Sequence, residues 1–167
     1  MRAVSDAGPL IHLSWIGRLD LLQELFDEVI APAAVRDEVL RVGPEITGAA
    51  LLREALADGR PAVRAVHDHA AVEALRAELD QGEAEALVLM GEADADIVLL
   101  DDRRARDRAI DQGLPVTGTL GLLRMARDRG LLPAVLPLLL ELRQRGFRIS
   151  ADLVEQIRQE EVDREEA

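Results

Sequence analysis

Asp6, Glu38, Glu83 and the adjacent pair Asp101–Asp102 are the residues whose types and placement suggest chemistry. Each stands at the edge of an apolar element rather than in a polar run. Asp6 closes the short extended stretch Ala3-Val4-Ser5, and Asp101 closes the apolar run Ile97-Val98-Leu99-Leu100. Glu38 and Glu83 lie in or at the start of helical patterns. If the two strand ends are neighbours, these carboxylates converge on one crevice and repel. Two unit charges about 4 Å apart cost about 4 kcal/mol at an effective dielectric of roughly 20. A hard divalent cation removes that conflict, and oxygen donors suit Mg²⁺ or Mn²⁺.

Each acid also has a plain structural reading. Asp6 can cap a helix that follows it, with Pro9 just inside. Glu38 stands among Arg36, Asp37 and Arg41, as a solvated helix residue would. Glu83 is a first-turn acid favoured by the helix dipole; Glu85, two positions on, would face elsewhere. The Asp101–Asp102 pair is hardest to dismiss, because adjacent acids directly after a buried strand conflict unless something uses them.

Around that pair, Arg103, Arg104, Arg106 and Arg108 form the densest basic patch. They suit phosphate contact, or a solvated face paired with Asp101, Asp102, Asp107 and Asp111. Arg103 and Arg104, nearest the strand end, are the better substrate candidates; Arg106 and Arg108 fit the paired face. Thr117 and Thr119, with Gly118 and Gly121, make a turn that opens a helix. Its free N–H groups suit a phosphate, and a capped tight turn is the equal alternative. His12, beside Ile11 and Leu13, reads as packing, and His67-Asp68-His69 as an exposed loop. The histidines form no metal set. No Ser–His–Asp or Cys–His arrangement stands out, and no glycine pattern follows a strand as a dinucleotide fingerprint requires.

The elements that must position these residues alternate between strand-like apolar runs and helical patterns. Strands are expected at Val4, Val29-Ile30, Ala62 to Val66, Ile97 to Leu100 and Val116-Thr117. Helices are expected through Leu19 to Phe26, from Pro32 through Val35 and Val39, from Ile46 to Leu56, and through Val72, Leu75 and Leu79. Further helices restart at Glu83 after Gly82, and run over Arg103 to Gln112 with Ala105, Ala109 and Ile110 inside. The last three cover Leu120 to Arg129, Pro133 to Arg145, and a segment capped by Ser150. This order implies a parallel sheet with helices on both faces, and in such sheets ligands sit beyond the carboxyl ends of the strands. Residues 1–159 read as one domain, followed by an acidic tail, 160–167, that frays. Leu131 to Leu142 is apolar nearly all round, as a core helix, a dimer contact or a partner site would be.

Composition sets the limits. The 167 residues suffice for one sizeable core, and 49% of them are apolar but only 2% aromatic, so Leu, Val, Ile and Ala must fill it. There is no cysteine, which excludes disulfides and thiolate metal sites. The opening MRAVSDAGPLIHL lacks the long apolar core of a secretory signal. The apolar segment at 131–142 is too short for a bilayer. A cytoplasmic protein with no membrane partner is expected. The net charge is −12, and all 20 basic residues are arginine. Bulk attraction to nucleic acid is thereby excluded, so any such role rests on local arginine clusters and bound metal.

Taken in order, SDAGPLIHL-x-x-IGRLDLL, VIAPAAVRDEVL, GEAEALVLM, and VLLDDRRAR followed by VTGTLGLL and RGLL resemble the successive motifs of PIN-domain proteins. The branch is DUF3368, beside the VapC-like toxins, and the resemblance covers nearly the whole chain. It implies a three-layer α/β/α sandwich with a central parallel sheet and a Mg²⁺- or Mn²⁺-dependent ribonuclease site acting on single-stranded RNA. By the same resemblance Asp6, Glu38 and Glu83 match the first three acids, and Asp101 or Asp102 the fourth. A hydroxyl residue two positions earlier in many relatives favours Asp102, with Leu100 in that place; the strand-end position favours Asp101. The small hydroxyl residue that often follows the first Asp is replaced by Ala7 and Gly8, with Ser5 as a stand-in. Missing hydroxyls of this kind weaken ligand orientation. The family implies the toxin of a type II toxin–antitoxin pair, a homodimer held by a small antitoxin. The alternatives are a weak or inactive PIN-like module that binds RNA or protein, and a metal-dependent phosphohydrolase.

Overall fold

The computed structural model describes residues 1–166. Five strands, β1 (Arg2–Ser5), β2 (Glu28–Pro32), β3 (Ala62–Arg64), β4 (Ile97–Leu99) and β5 (Val116–Thr117), form one sheet in the order β3-β2-β1-β4-β5. Every pairing is parallel. Ala3 pairs with Val29 on one side and Ile97 on the other, and Ser5 pairs with Leu99. β1 is therefore central. The chain builds outward through β2 and β3, then returns to lay β4 on the opposite side of β1. The crevice beyond the carboxyl ends of β1 and β4 is the topological switch point of the sheet.

Helices α1 (Ala7–Trp15), α2 (Asp20–Leu25), α3 (Ala33–Leu40), α4 (Ala49–Ala57) and α5 (His69–Leu75) precede α6 (Gln81–Glu92) and α7 (Arg103–Asp111). The chain continues through α8 (Thr119–Asp128), α9 (Leu136–Gln144) and α10 (Ala151–Glu165). Side chains alternate across each strand, and the sheet sorts them into two cores. Ala3, Ala31 and Leu99 pack with Leu10, Leu13, Val35, Leu122 and Leu139 from α1, α3, α8 and α9. Val4, Ile30, Val98 and Leu100 pack with Val72, Leu87, Ala105 and Ala109 from α5, α6 and α7. Burial of each such Leu, Ile or Val stabilises by roughly 1.5–3 kcal/mol. The arrangement is an α/β/α sandwich, and its all-parallel strands carry the apolar runs that burial on both faces requires.

Several local expectations differ from the fold. Pro32 ends β2 and occupies the N-cap of α3 rather than its first turn, with extended ψ of 160°. The helix expected from Ile46 begins at Ala49, and Ile46 is exposed. Leu79 follows α5 rather than lying in it, yet it is buried. Asp68, read as part of an exposed loop, caps α5 by accepting from the Ala71 N–H. Ile110 is 62% exposed, because the apolar stripe of α7 is carried by Ala105 and Ala109. α9 starts at Leu136 with Pro137 in its first turn, so Pro133 lies in the preceding turn. The acidic segment expected to fray from residue 160 continues α10 to Glu165. It is anchored there by Arg124, which donates to Glu160, and by the Val135 N–H, which donates to Glu161. Residue 167 lies outside the described residues.

Candidate active site

Hydrogen bonding between β1 and β4 extends one step past the strands: the Asp6 N–H donates to the Leu99 carbonyl at 3.0 Å. Asp6 and Asp101 thus emerge side by side at the switch point. Asp6 holds the N-cap position of α1, but its side chain makes no capping hydrogen bond. It is only 7% exposed, and its Oδ1 is buried with no partner. A buried carboxylate oxygen left unpaired is costly. Burial pushes the Asp6 carboxyl up to about 7; the Ala7 N–H opposes the rise, and Asp80, Glu38 and Glu83 add to it.

Glu38, on α3, is half-buried. Its carboxyl is raised by burial and then by Asp80, with Arg41 opposing. Glu83 arrives by a different device. The expected restart of a helix at Glu83 is instead a helix from Gln81, in which Asp80 and Glu83 form a capping box. Asp80 accepts from the Glu83 N–H at 2.8 Å, and Glu83 Oε2 accepts from the Asp80 N–H at 3.0 Å. Glu83 is 8% exposed, and burial raises its carboxyl; the Asp80 N–H lowers it, and the charges of Asp80, Asp102 and Glu38 raise it further. Gly82 allows the approach. A Cβ there would stand 3.1 Å from Asp6 Oδ1 and 3.4 Å from Glu38 Oε2.

Asp6, Glu38 and Glu83 therefore share one electrostatic cluster with Asp80, an acid outside the candidates named from the sequence. Its signal was present: Asp80 followed three positions later by Glu83 is the acidic form of a capping-box spacing. Asp102 joins the cluster through its effect on Glu83, while its Oδ1 caps α7 by accepting from the Ala105 N–H at 3.1 Å. The rival Glu85 accepts from the Ala34 N–H and from Gln81, ties between α3 and α6.

Asp101 faces different partners. Thr119 donates its N–H to Oδ1 at 2.7 Å and its hydroxyl to Oδ2 at 2.6 Å. His12 Nδ1 lies 2.6 Å from Oδ2. Burial alone would raise this carboxyl, but the bonds from His12 and Thr119 hold it below the ordinary range. An ionised carboxylate only accepts, so Nδ1 carries the proton in this pair. Glycines leave the room: a Cβ at Gly118 would stand 2.7 Å from Asp101 Oδ1, and one at Gly8 3.4 Å from Oδ2.

These contacts revise three expectations. Thr119, a substrate candidate, is fully buried, and both its donors serve Asp101. Asp101 thus receives a hydroxyl from Thr119, the first residue of α8, although none stands at Leu100. Ser5 does not stand in for the other hydroxyl, since its Oγ donates to the Asp6 carbonyl rather than the carboxylate. His12, read as packing, binds Asp101 while its ring meets Trp15 and Phe147 edge-on, with centroids 4.9 and 4.8 Å apart. No local signal marks a partner 89 residues away.

The arginines sort differently as well. Arg103 is exposed and pairs loosely with Asp107 at 3.8 Å, and Arg104 is exposed. Arg106 instead turns to the strand end, donating to the Asp101 carbonyl. It lines a cavity of about 500 Å³ beside His12 and Asp101. α7 turns its first residues, Arg103 and Arg104, toward solvent and its fourth, Arg106, back toward β4.

The model of the DUF3368 family, a PIN domain, matches residues 2–162. The chain belongs to this family. The match and the five-stranded parallel sheet agree on a PIN domain, a fold that generally serves nucleases and binds nucleic acid. No curated protein matches the sequence. Among the described residues, no helix is long and apolar enough to cross a membrane.

The PIN-domain acids suit a hard divalent cation in donor chemistry: all are oxygen ligands, and Asp6 Oδ1 is buried without a partner. Among the described residues no three carboxylate or imidazole groups are arranged to hold one ion directly. A cation held here would be bound by one or two carboxylates with water completing its shell, a mode open to Mg²⁺.

Proposed function

We propose that this PIN domain is a divalent-metal-dependent endoribonuclease acting on single-stranded RNA, with Mg²⁺ or Mn²⁺ as its cofactor. The observation that carries the reading is the unpartnered, buried Asp6 Oδ1 amid Glu38, Asp80 and Glu83. Carboxylates whose protons are held this tightly are short of positive charge, and a cation supplies it. Asp6 is the central ligand, with Glu38, Glu83 and Asp102 holding the cation or its waters. When bound, the cation offers Lewis acidity to the scissile phosphodiester and to the attacking water. The chain's own residues do the positioning. The capping box fixes one Glu83 oxygen, Gly82 lets α6 close on Asp6, and Thr119 and His12 hold Asp101 at the strand end.

The biological role that fits best is the toxin of a type II toxin–antitoxin pair, a cytoplasmic homodimer restrained by a small antitoxin protein. Its support is the family resemblance. A second reading, a PIN-like module that binds RNA or protein with weak or no cleavage, is favoured by one observation: the Ser5 hydroxyl serves the Asp6 backbone and gives the carboxylate no hydroxyl donor.

Incubation of the purified protein with mixed RNA and Mn²⁺ or Mg²⁺, beside Asp6→Asn, separates the two. Metal-dependent cleavage lost in the variant supports the ribonuclease. Binding of RNA with no cleavage under either metal supports the module. Growth arrest on expression, relieved by a short neighbouring reading frame, tests the toxin role.

A further inference from the structure

The cavity beside Asp101 is chemically unlike the acidic cluster. It measures about 500 Å³ and is lined by His12, Arg106, Arg124, Arg148, Phe147 and Ile149, among others. Its size lies within the range of small-ligand sites. The chain carries a net charge of −12, yet three guanidiniums meet here. Asp101 is already engaged by His12 and Thr119, and Arg124 spends Nη2 on Glu160 at 2.8 and 2.9 Å, so its Nε and Nη1 are what it can offer a ligand. Arg106 uses Nη1 on the Asp101 carbonyl. Arg148 is exposed and has no ion pair among the described residues. Each guanidinium has five donors in a planar fork suited to phosphate oxygens. Phe147 and Ile149 give the same cavity an apolar wall, and aromatic faces stack on bases of any sequence.

We propose that this cavity is a nucleotide subsite, in which Arg148, Arg124 and Arg106 hold a backbone phosphate and Phe147 takes the adjoining base of a single-stranded RNA. The inference rests on the ribonuclease reading and deepens it by assigning a place for the strand beside the acids. Asp101 and Asp102 form the boundary. Asp101 lines the cavity, and Asp102 acts on Glu83 in the acidic cluster. A strand with one nucleotide seated against Phe147 would then run past the switch point toward Asp6. The subsite also shows how a protein this acidic can hold RNA: the attraction is local, at three arginines, rather than spread over the surface.

Trp15, the sole tryptophan, lies edge-on to His12, a residue of the cavity wall, and its fluorescence is the readout. Titration in EDTA, which removes any metal contribution, uses a 5′-phosphorylated tetranucleotide RNA, a nucleoside monophosphate, a nucleoside and inorganic phosphate. The tetranucleotide is expected to saturate the signal, the monophosphate to bind more weakly, and the nucleoside and inorganic phosphate weaker still. Arg148→Ala is expected to weaken tetranucleotide binding about tenfold, as loss of one charge-assisted phosphate contact does. Arg158→Ala, on α10 and paired with Glu155 outside the cavity, is expected to change nothing. Saturable binding lost in Arg148→Ala alone supports the subsite. No saturable binding, equal effects of the two variants, or inorganic phosphate binding as tightly as RNA would overturn it. So would a free monophosphate that binds more tightly than the tetranucleotide, since the strand would then contribute nothing. RNA binding without cleavage would leave the subsite standing and remove the ribonuclease. Metal-dependent cleavage indifferent to Arg148→Ala would do the reverse.

Discussion

Thr119 gives both its N–H and its hydroxyl to the Asp101 carboxylate, at 2.7 and 2.6 Å, closing the crevice from the side of β5. Both groups are buried or nearly so, and a hydrogen bond to an ionised partner contributes about 1.5–3 kcal/mol. Thr119→Val keeps the shape and removes the hydroxyl. It is expected to lower stability by about 2 kcal/mol, read as a lower urea midpoint at unchanged slope. Thr119→Ser retains the donor and is expected to lose about 1 kcal/mol or less. Equal midpoints for wild type and Thr119→Val would show that the hydroxyl does not support Asp101.

The buried Asp6 makes stability fall as pH rises. Burial lifts its carboxyl to about 7 in the fold, from an ordinary value of 3.8 in the unfolded chain. Between those pH values the folded state keeps a proton that the unfolded chain has released. Stability is therefore highest below about pH 4 for this group and declines to about pH 7, by on the order of 4 kcal/mol. Glu38 and Glu83 are raised too and add to the decline. In EDTA, melting temperature is expected to fall between pH 5 and pH 8, and Asp6→Asn to flatten much of that fall. Added Mn²⁺ is expected to stabilise wild type more at pH 8 than at pH 5. A melting temperature that rises with pH in EDTA would contradict the burial of Asp6 as described.

Much of this arrangement is legible in the chain, for reasons that differ by residue. Ile97 to Leu100 reads as a buried strand because four consecutive apolar residues suit only an element covered on both faces. Its end then places Asp101, and the same logic at Val4 and Ser5 places Asp6. Asp80 was legible in principle through its spacing to Glu83, but the glycine between them reads as a helix stop. In the fold Gly82 is there because two carboxylates crowd the helix start. His12 and Thr119 are not legible, because their partner lies on another strand and nothing in local periodicity records a cross-sheet hydrogen bond. The turn of Arg106 toward β4, away from Arg103 and Arg104, depends on the rotation of α7, which its Ala105–Ala109 stripe sets.

Gly82 tests whether the approach of α6 to Asp6 matters. In an ordinary helix Gly→Ala stabilises by roughly 1 kcal/mol. Here the new methyl would press on Asp6 Oδ1 at 3.1 Å and Val35 at 3.2 Å, so that gain is expected to be largely cancelled. The larger effect is expected in function. Displacing Asp6 and Glu38 by a few tenths of an ångström should cut metal-dependent RNA cleavage by about tenfold or more, as small misplacements at reacting centres do. Parallel melting curves and cleavage assays check this. A stabilised Gly82→Ala with full activity would show that the carboxylates do not need that space.

Asp101 and Asp102 are adjacent, yet the fold separates their work, and matched amide variants should divide them. Asn caps helices as well as Asp does, so Asp102→Asn is expected to leave stability within about 0.5 kcal/mol. Its lost charge beside Glu83 is expected to weaken divalent-metal binding and cleavage by about 10- to 100-fold, as loss of an orienting or ligating carboxylate does. Asp101→Asn replaces the charged acceptor with a neutral amide, so the bonds from Thr119 and His12 lose their charge assistance and the Thr119 hydroxyl and His12 Nδ1 must turn from donors to acceptors in a buried place. It is expected to cost about 2 to 3 kcal/mol of stability. Urea denaturation and calorimetric Mn²⁺ titration of both variants read the two effects separately. The opposite pattern, with Asp101→Asn stable but unable to bind metal and Asp102→Asn unfolded, would move the fourth acid from Asp102 to Asp101.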